Sequence, residues 1–172
     1  MFSKQDIEKY FQAEKQLGWL FIVIGSLSVL FSIYLLFFQE TAFGKGAAIP
    51  LLVLGLVELA AAVTVSRRSD ADRTRNVYAY DMNPGQLQKE ELPRMEKVVQ
   101  RFIPFKWAET ACVLAGLLLM FFFRKKPDQA FWYGLGFTLT LQALLFLLAD
   151  FSASKRAVRY YAGLKSHVEK LH

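Results

Sequence analysis

The chain is poor in the residue types that build metal sites and covalent frameworks. It has one cysteine among 172 residues, which excludes an internal disulfide. Its two histidines, His167 and His172, both lie near the carboxyl end, and Cys112 lies inside an apolar run, so a zinc or haem site lacks ligands. No P-loop, dinucleotide-binding glycine pattern or G-x-S-x-G motif occurs. We therefore expect no metal, no cofactor and no enzymatic activity.

Charged residues make up only 21% of the chain, whereas hydrophobic residues make up 54%. So much apolar surface excludes an intrinsically disordered protein. The net charge is +6, but the basic residues stand beside the ends of apolar runs and are mixed with acidic ones. That pattern favours a topology signal and attraction to anionic lipid over nucleic-acid binding.

Long apolar runs are abundant, and they decide the fold class. They cover residues 17–38, 47–66, 105–123 and 130–149. A helix needs about 20 apolar residues to cross a hydrocarbon core of about 30 Å. The third run is the weakest, because Lys106 and Glu109 lie within it. The sequence predicts an all-α integral membrane four-helix bundle that forms a single domain.

The distribution of lysine and arginine predicts the orientation of this bundle. Seventeen of the 21 lie before the first run, in the connection from Arg67 to Lys106 at the start of the third run, or after the fourth run. The other four are Lys45 and the cluster 124–126, which would face the opposite side. The positive-inside rule then places both termini in the cytoplasm, and we expect a bacterial inner-membrane protein. The first run is longer than a signal-peptide core, so we expect it to remain as the first span.

The sequence predicts a helical layer on the cytoplasmic side, formed by residues 1–16, 67–104 and 150–172. Apolar residues recur there at helical spacing, and Asn83 with Gln86 predicts a capping box at a helix start. These stripes are expected to pack against one another, with burial in lipid headgroups as the alternative. The expected stripe residues are Ile7, Tyr10, Phe11, Leu17, Leu87, Met95, Val98, Val99, Phe102, Phe151, Val158, Tyr161, Leu164, Val168 and Leu171.

Glu58, Gln142 and Glu109 form a candidate intramembrane polar site. Glu58 lies nine residues before Arg67, about 13 Å deep, where a carboxylate costs on the order of 3 kcal/mol. Gln142 lies at a similar depth, so we expect a hydrogen bond between the two side chains. A proton or cation relay is the alternative. Glu109 and Asp150 lie nearer the interface and are expected to be neutralised by nearby cations, namely Arg67, Arg68, Lys106 and Lys155.

Two weak similarities suggest that the chain contains two related hairpins. Lys15 and Gly25 are spaced like Lys106 and Gly116, and residues 77–79 resemble residues 160–162 at a spacing of 83. A duplication would relate the hairpins by a pseudo-two-fold axis along the membrane normal. Chance similarity between apolar helices is the alternative.

The function expected from these features is non-catalytic binding of a protein partner, in an accessory or immunity-type role. The alternative is a small proton- or cation-conducting subunit that uses Glu58. The expected partners are the lipid bilayer, an unidentified protein and, as a homo-oligomer, further copies of the chain. The candidate cytoplasmic interaction surface consists of arginines: Arg67, Arg68, Arg73, Arg75, Arg94, Arg101, Arg156 and Arg159.

Overall fold

The computed structural model describes residues 2–170, which form long helices and no strand. The bounds are α1 Lys4–Phe38, α2 Ala42–Met82, α3 Pro84–Gln86, a π-helical turn Leu87–Glu91, α4 Leu92–Phe123, a 3-10 turn Pro127–Gln129 and α5 Ala130–Glu169. Within this part of the chain, four helical stretches are long and apolar enough to cross a membrane. Each contains one of the four apolar runs, which confirms the predicted all-helical class.

The helix ends follow from local capping. Asp6 accepts hydrogen bonds from the backbone N–H and the hydroxyl of Ser3 at the start of α1. Thr41 caps α2 by accepting from the Gly44 N–H. Pro84 occupies the first turn of α3, as its fixed φ favours. The predicted capping box at Asn83 is wrong, because the side-chain amide of Gln86 donates to Glu90 instead.

The helices pair as two hairpins, α1 with α2 and α4 with α5, and α2 packs against α5 between them. Two side-chain hydroxyls tie the neighbouring helices to α2: Ser32 donates to the carbonyl of Ala48 and Thr138 to that of Ala47, each at 2.9 Å. α4 packs chiefly on α5. Of its residues 105–123, Gly116 alone is buried within the protein, so the third apolar segment forms an outer edge.

The contact between α2 and α5 is reciprocal. A Cβ atom on Gly46 would collide with the carbonyl oxygen of Phe131, and one on Gly134 would collide with that of Phe43. Phe43 and Phe131 are 88 residues apart, as are Gly46 and Gly134. A contact in which each partner uses the same residues is what a two-fold axis produces. Both glycines are therefore required for the close approach of the two backbones.

The same spacing of 88 also relates the buried Ser66 and Ser154. Glycines face each other inside each hairpin as well, Gly25 with Gly55 and Gly116 with Gly136. The spacing of 88 fits the reciprocal contact between α2 and α5 and the two buried serines, whereas Gly55 and Gly136 are 81 residues apart. Neither value is the expected spacing of 83.

Beyond the apolar segments, all four helical stretches share one hydrophobic core, the bundle core. It confirms the prediction that the amphipathic stripes pack against one another. Its buried residues are Ile7, Tyr10, Phe11, Ala79, Leu87, Met95, Ala157, Tyr160, Leu164 and Val168.

The expected stripe on α5 is partly wrong. Phe151 and Val158 are about half exposed, whereas Ser154, Ala157 and Tyr160 are buried. Ser154 and Ala157 are small, and small side chains on the inward face let neighbouring helices approach closely. A prediction that selects only the large apolar residues misses them. Leu171 lies outside the described residues.

Candidate functional site

The mid-segment polar residues are buried but not paired. Glu58 is 6% exposed on α2, and Gln142 is 3% exposed on α5. Neither carboxyl oxygen of Glu58, and neither amide atom of Gln142, has a hydrogen-bond partner among residues 2–170. The predicted hydrogen bond between them is therefore wrong. Unpaired polar groups at this level of burial are rare in native proteins, so Glu58 calls for a physical explanation.

Glu109 belongs to a second polar group, nearer the bundle core. It lies near Asp150 of α5, and its Oε2 atom is buried without a hydrogen-bond partner among residues 2–170. Lys106 lies close to both acids, and its ammonium donates to the hydroxyl of Ser154 at 2.6 Å. The two acids and Lys106 therefore come together across the α4–α5 hairpin.

The cations expected to neutralise this acidic pair are mostly elsewhere. Arg68 pairs with Glu14 at 3.4 Å and with Asp72 at 3.8 Å. Lys155 lies over the ring of Phe151, with its nitrogen 4.1 Å from the centroid. Of the four expected cations, Lys106 is the one that the structure brings to the pair.

A buried ion pair in the bundle core was missed at the sequence level. Glu91 is 1% exposed, and Arg94 donates to both of its carboxylate oxygens at 2.7 Å. The hydroxyl of Tyr160 also donates to Glu91, at 3.2 Å. The Arg94 guanidinium lies 5.6 Å from the centre of the Phe11 ring. The visible signal was the four-residue spacing of Leu87, Glu91 and Met95, which places an acid within an apolar stripe.

Two tyrosines complete this cluster. The rings of Tyr10 and Tyr160 are stacked, with centroids 4.4 Å apart and planes 10° from parallel. Burial, and then the charge of nearby glutamates, raises the pKa of both hydroxyls above the usual 10.0. Both phenols therefore stay protonated at neutral pH, as donation from Tyr160 to Glu91 requires.

The structure divides the eight arginines of the candidate surface into two groups. Four form ion pairs, and the partner of Arg94 among them is the buried Glu91. The other four have no ion pair or hydrogen bond with any residue between 2 and 170, and they are exposed or half-exposed. The paired set is Arg68, Arg73, Arg75 and Arg94. The unpaired set is Arg67, Arg101, Arg156 and Arg159.

Among residues 2–170, no three side chains of histidine, cysteine, aspartate or glutamate come together as metal ligands would. His167 stacks on Tyr80 with a centroid separation of 4.8 Å. Cys112 is a free, half-buried thiol on α4.

Comparison with known protein families, curated protein sequences and solved structures gives no significant match.

Replacing Glu91 with glutamine is expected to lower the free energy of unfolding by about 3 kcal/mol. The change leaves the mostly buried charge of Arg94 without its carboxylate. Unfolding of the detergent-solubilised chain, followed by circular dichroism, measures this loss. Lys15→Gln is the matched control, because it breaks the more exposed pair with Asp70 and should cost less than about 1 kcal/mol. Equal losses in the two variants would contradict a structural role for the buried pair.

Proposed function

We propose that the chain is a four-span membrane protein of the bacterial inner membrane, with both termini and the bundle core in the cytoplasm. The four long apolar helices and the distribution of lysine and arginine support this placement. Most of the cations lie on the stretches that contribute to the bundle core, beyond one end of the apolar segments. A reporter fused after residue 172 is expected to be active only in the cytoplasm, and activity outside would overturn the orientation.

In this proposal, the helical layer around the bundle core is a non-catalytic platform. It binds an acidic segment of a partner protein in an accessory or immunity-type role. Three ion pairs join α1 to α2 on its surface, Lys4 with Asp81, Lys15 with Asp70 and Glu14 with Arg68. A surface carried by packed helices loses little conformational entropy when a partner binds.

The observation that carries the proposal is the unpaired state of Arg67 and Arg101. Arg67 follows the second apolar run on α2, and Arg101 precedes the third on α4. α5 packs against both of these helices, so the two arginines lie on the helices that flank it. Arginines without an intramolecular acid are available to carboxylates of a partner, with which guanidinium groups form two parallel hydrogen bonds. A partner segment bound there would lie along the membrane surface.

The test is affinity purification in mild detergent, comparing two charge-reversed proteins. Arg67→Glu with Arg101→Glu is expected to reduce recovery of the partner at least tenfold, because like charges then face each other. Lys45→Glu with Lys125→Glu makes the same change in net charge at the other end of the helices, on exposed residues, and should leave recovery unchanged. Identical recovery with both proteins would reject the arginine platform.

A second candidate function rests on Glu58, whose two carboxyl oxygens are both buried and unpaired. An ionisable side chain inside a membrane span commonly marks a proton or ion path. Gln142, also unpaired, adds a donor and an acceptor on the adjoining helix α5. The second proposal is that Glu58 exchanges a proton during proton or cation movement, in an oligomer of the chain.

Proton flux into liposomes containing the purified protein tests this second function. Glu58→Gln keeps the shape of the side chain but removes the exchangeable proton, so flux is expected to fall at least tenfold. Glu40→Gln changes an exposed acid beyond the end of α1 and should leave flux at the wild-type level. Absence of flux in the wild-type protein, or equal flux in the Glu58 variant, would exclude the conducting function.

A further inference from the structure

A groove of about 470 Å³ lies between the beginning of α1 and the end of α5. The stacked pair Tyr10 and Tyr160 lines it together with Phe2. Three cationic side chains, those of Lys9, Arg156 and Arg159, also line it. The groove therefore combines an aromatic wall with positive charge from two helices.

The positive charge of this groove is only partly compensated, because three cations and a single carboxylate line it. Lys9, Arg156 and Arg159 form no ion pair or hydrogen bond there. Asp6 is the one acid among the lining residues, and its carboxylate already accepts two hydrogen bonds from Ser3, at 2.8 and 2.9 Å. Other basic residues of the same layer, such as Lys4 and Arg75, do have acidic partners.

The aromatic wall is fixed by contacts on its far side. Tyr160 is held by its hydrogen bond to the buried Glu91, and Tyr10 packs edge-on against Phe11. Phe2 lies against Gly163, where an added Cβ atom would be 2.9 Å from the ring. Gly163 thus allows the Phe2 ring to line the groove. A groove with a preorganised wall loses less free energy on binding than one that must be ordered.

We propose that this groove binds a phosphate monoester that has a compact apolar or aromatic body. A phosphate monoester carries nearly two negative charges at neutral pH, and guanidinium groups bind its oxygens through paired hydrogen bonds. Arg156 and Arg159, three residues apart on α5, and Lys9 on α1 supply the cations. The body of the ligand packs against Phe2 and the edges of the two tyrosines.

Two sources could supply a phosphate monoester, a soluble metabolite or the headgroup of phosphatidic acid. Arg159 lies ten residues beyond residue 149, where the fourth apolar run ends, which is about 15 Å along the helix. The headgroup layer extends only about 5–8 Å beyond the hydrocarbon on each side. The distance favours a soluble ester. The proposal is separate from partner binding, because it concerns different residues and a small ligand.

Calorimetric titration of the purified full chain in neutral detergent with phenyl phosphate tests the soluble source. Saturable binding is expected for the wild-type protein. Arg156→Gln with Arg159→Gln should weaken binding at least tenfold, since each lost cation removes a charge-assisted hydrogen bond. Lys97→Gln with Lys165→Gln removes two exposed cations outside the groove and should leave the dissociation constant unchanged. Thermal unfolding without ligand shows whether each variant remains folded.

Native mass spectrometry tests the lipid source with phosphatidic acid, whose headgroup is a phosphate monoester, using phosphatidylcholine as the comparison. Selective retention of phosphatidic acid that is lost in the Arg156/Arg159 variant, without binding of phenyl phosphate, would support the phosphate site and assign it to a lipid headgroup. The proposal is overturned if neither probe binds, or if the groove variant and the control variant bind equally. The titration contains no protein partner, so its failure leaves the platform proposal standing.

Discussion

The approach of α2 to α5 is the contact on which the arrangement of the helices depends. α1 is packed on α2, and α4 on α5, so the two hairpins are joined mainly through these two helices. In the proposed membrane environment, lipid gives little hydrophobic gain for bringing apolar helices together, and close packing of small residues has to supply the attraction. Gly46 and Gly134 provide it by letting each backbone touch the carbonyl of a phenylalanine on the other helix. Beyond the apolar segments, residues of α2 and α5 also pack together in the bundle core.

The polar centre is where the two hairpins differ. At the spacing of 88 that relates Gly46 to Gly134, Glu58 corresponds to Phe146, and Gln142 corresponds to Leu54. Each buried polar side chain therefore has an apolar counterpart in the other hairpin. Packing symmetry alone does not account for either of them, which separates the features that hold the helices together from those that are candidates for function.

The sequence was sufficient to predict the helical class, because runs of about 20 apolar residues are long enough to dominate any local preference. It also predicted the shared bundle core, because helical stripes such as Ile7, Tyr10 and Phe11 must be buried somewhere. The Glu91–Arg94 pair and the groove at Arg159 could not be predicted, since both depend on how far each helix is rotated about its axis. The similar depths of Glu58 and Gln142 likewise did not make them hydrogen-bond partners. Depth gives the position of a residue along the helix axis, but not the side of the helix on which its side chain lies.

The connections inside the hairpins are short. Residues 39–41 join α1 to α2, and residues 124–126 lead from α4 into the 3-10 turn before α5. In the proposed orientation, these are the polar segments that must cross the bilayer during biogenesis. The second carries three positive charges, and two of them fold back over aromatic rings, Arg124 over Phe121 and Lys126 over Phe123. Each hairpin can thus enter the membrane as a unit from the cytoplasmic side, with translocation limited to one small loop whose charges are partly shielded by its own helix.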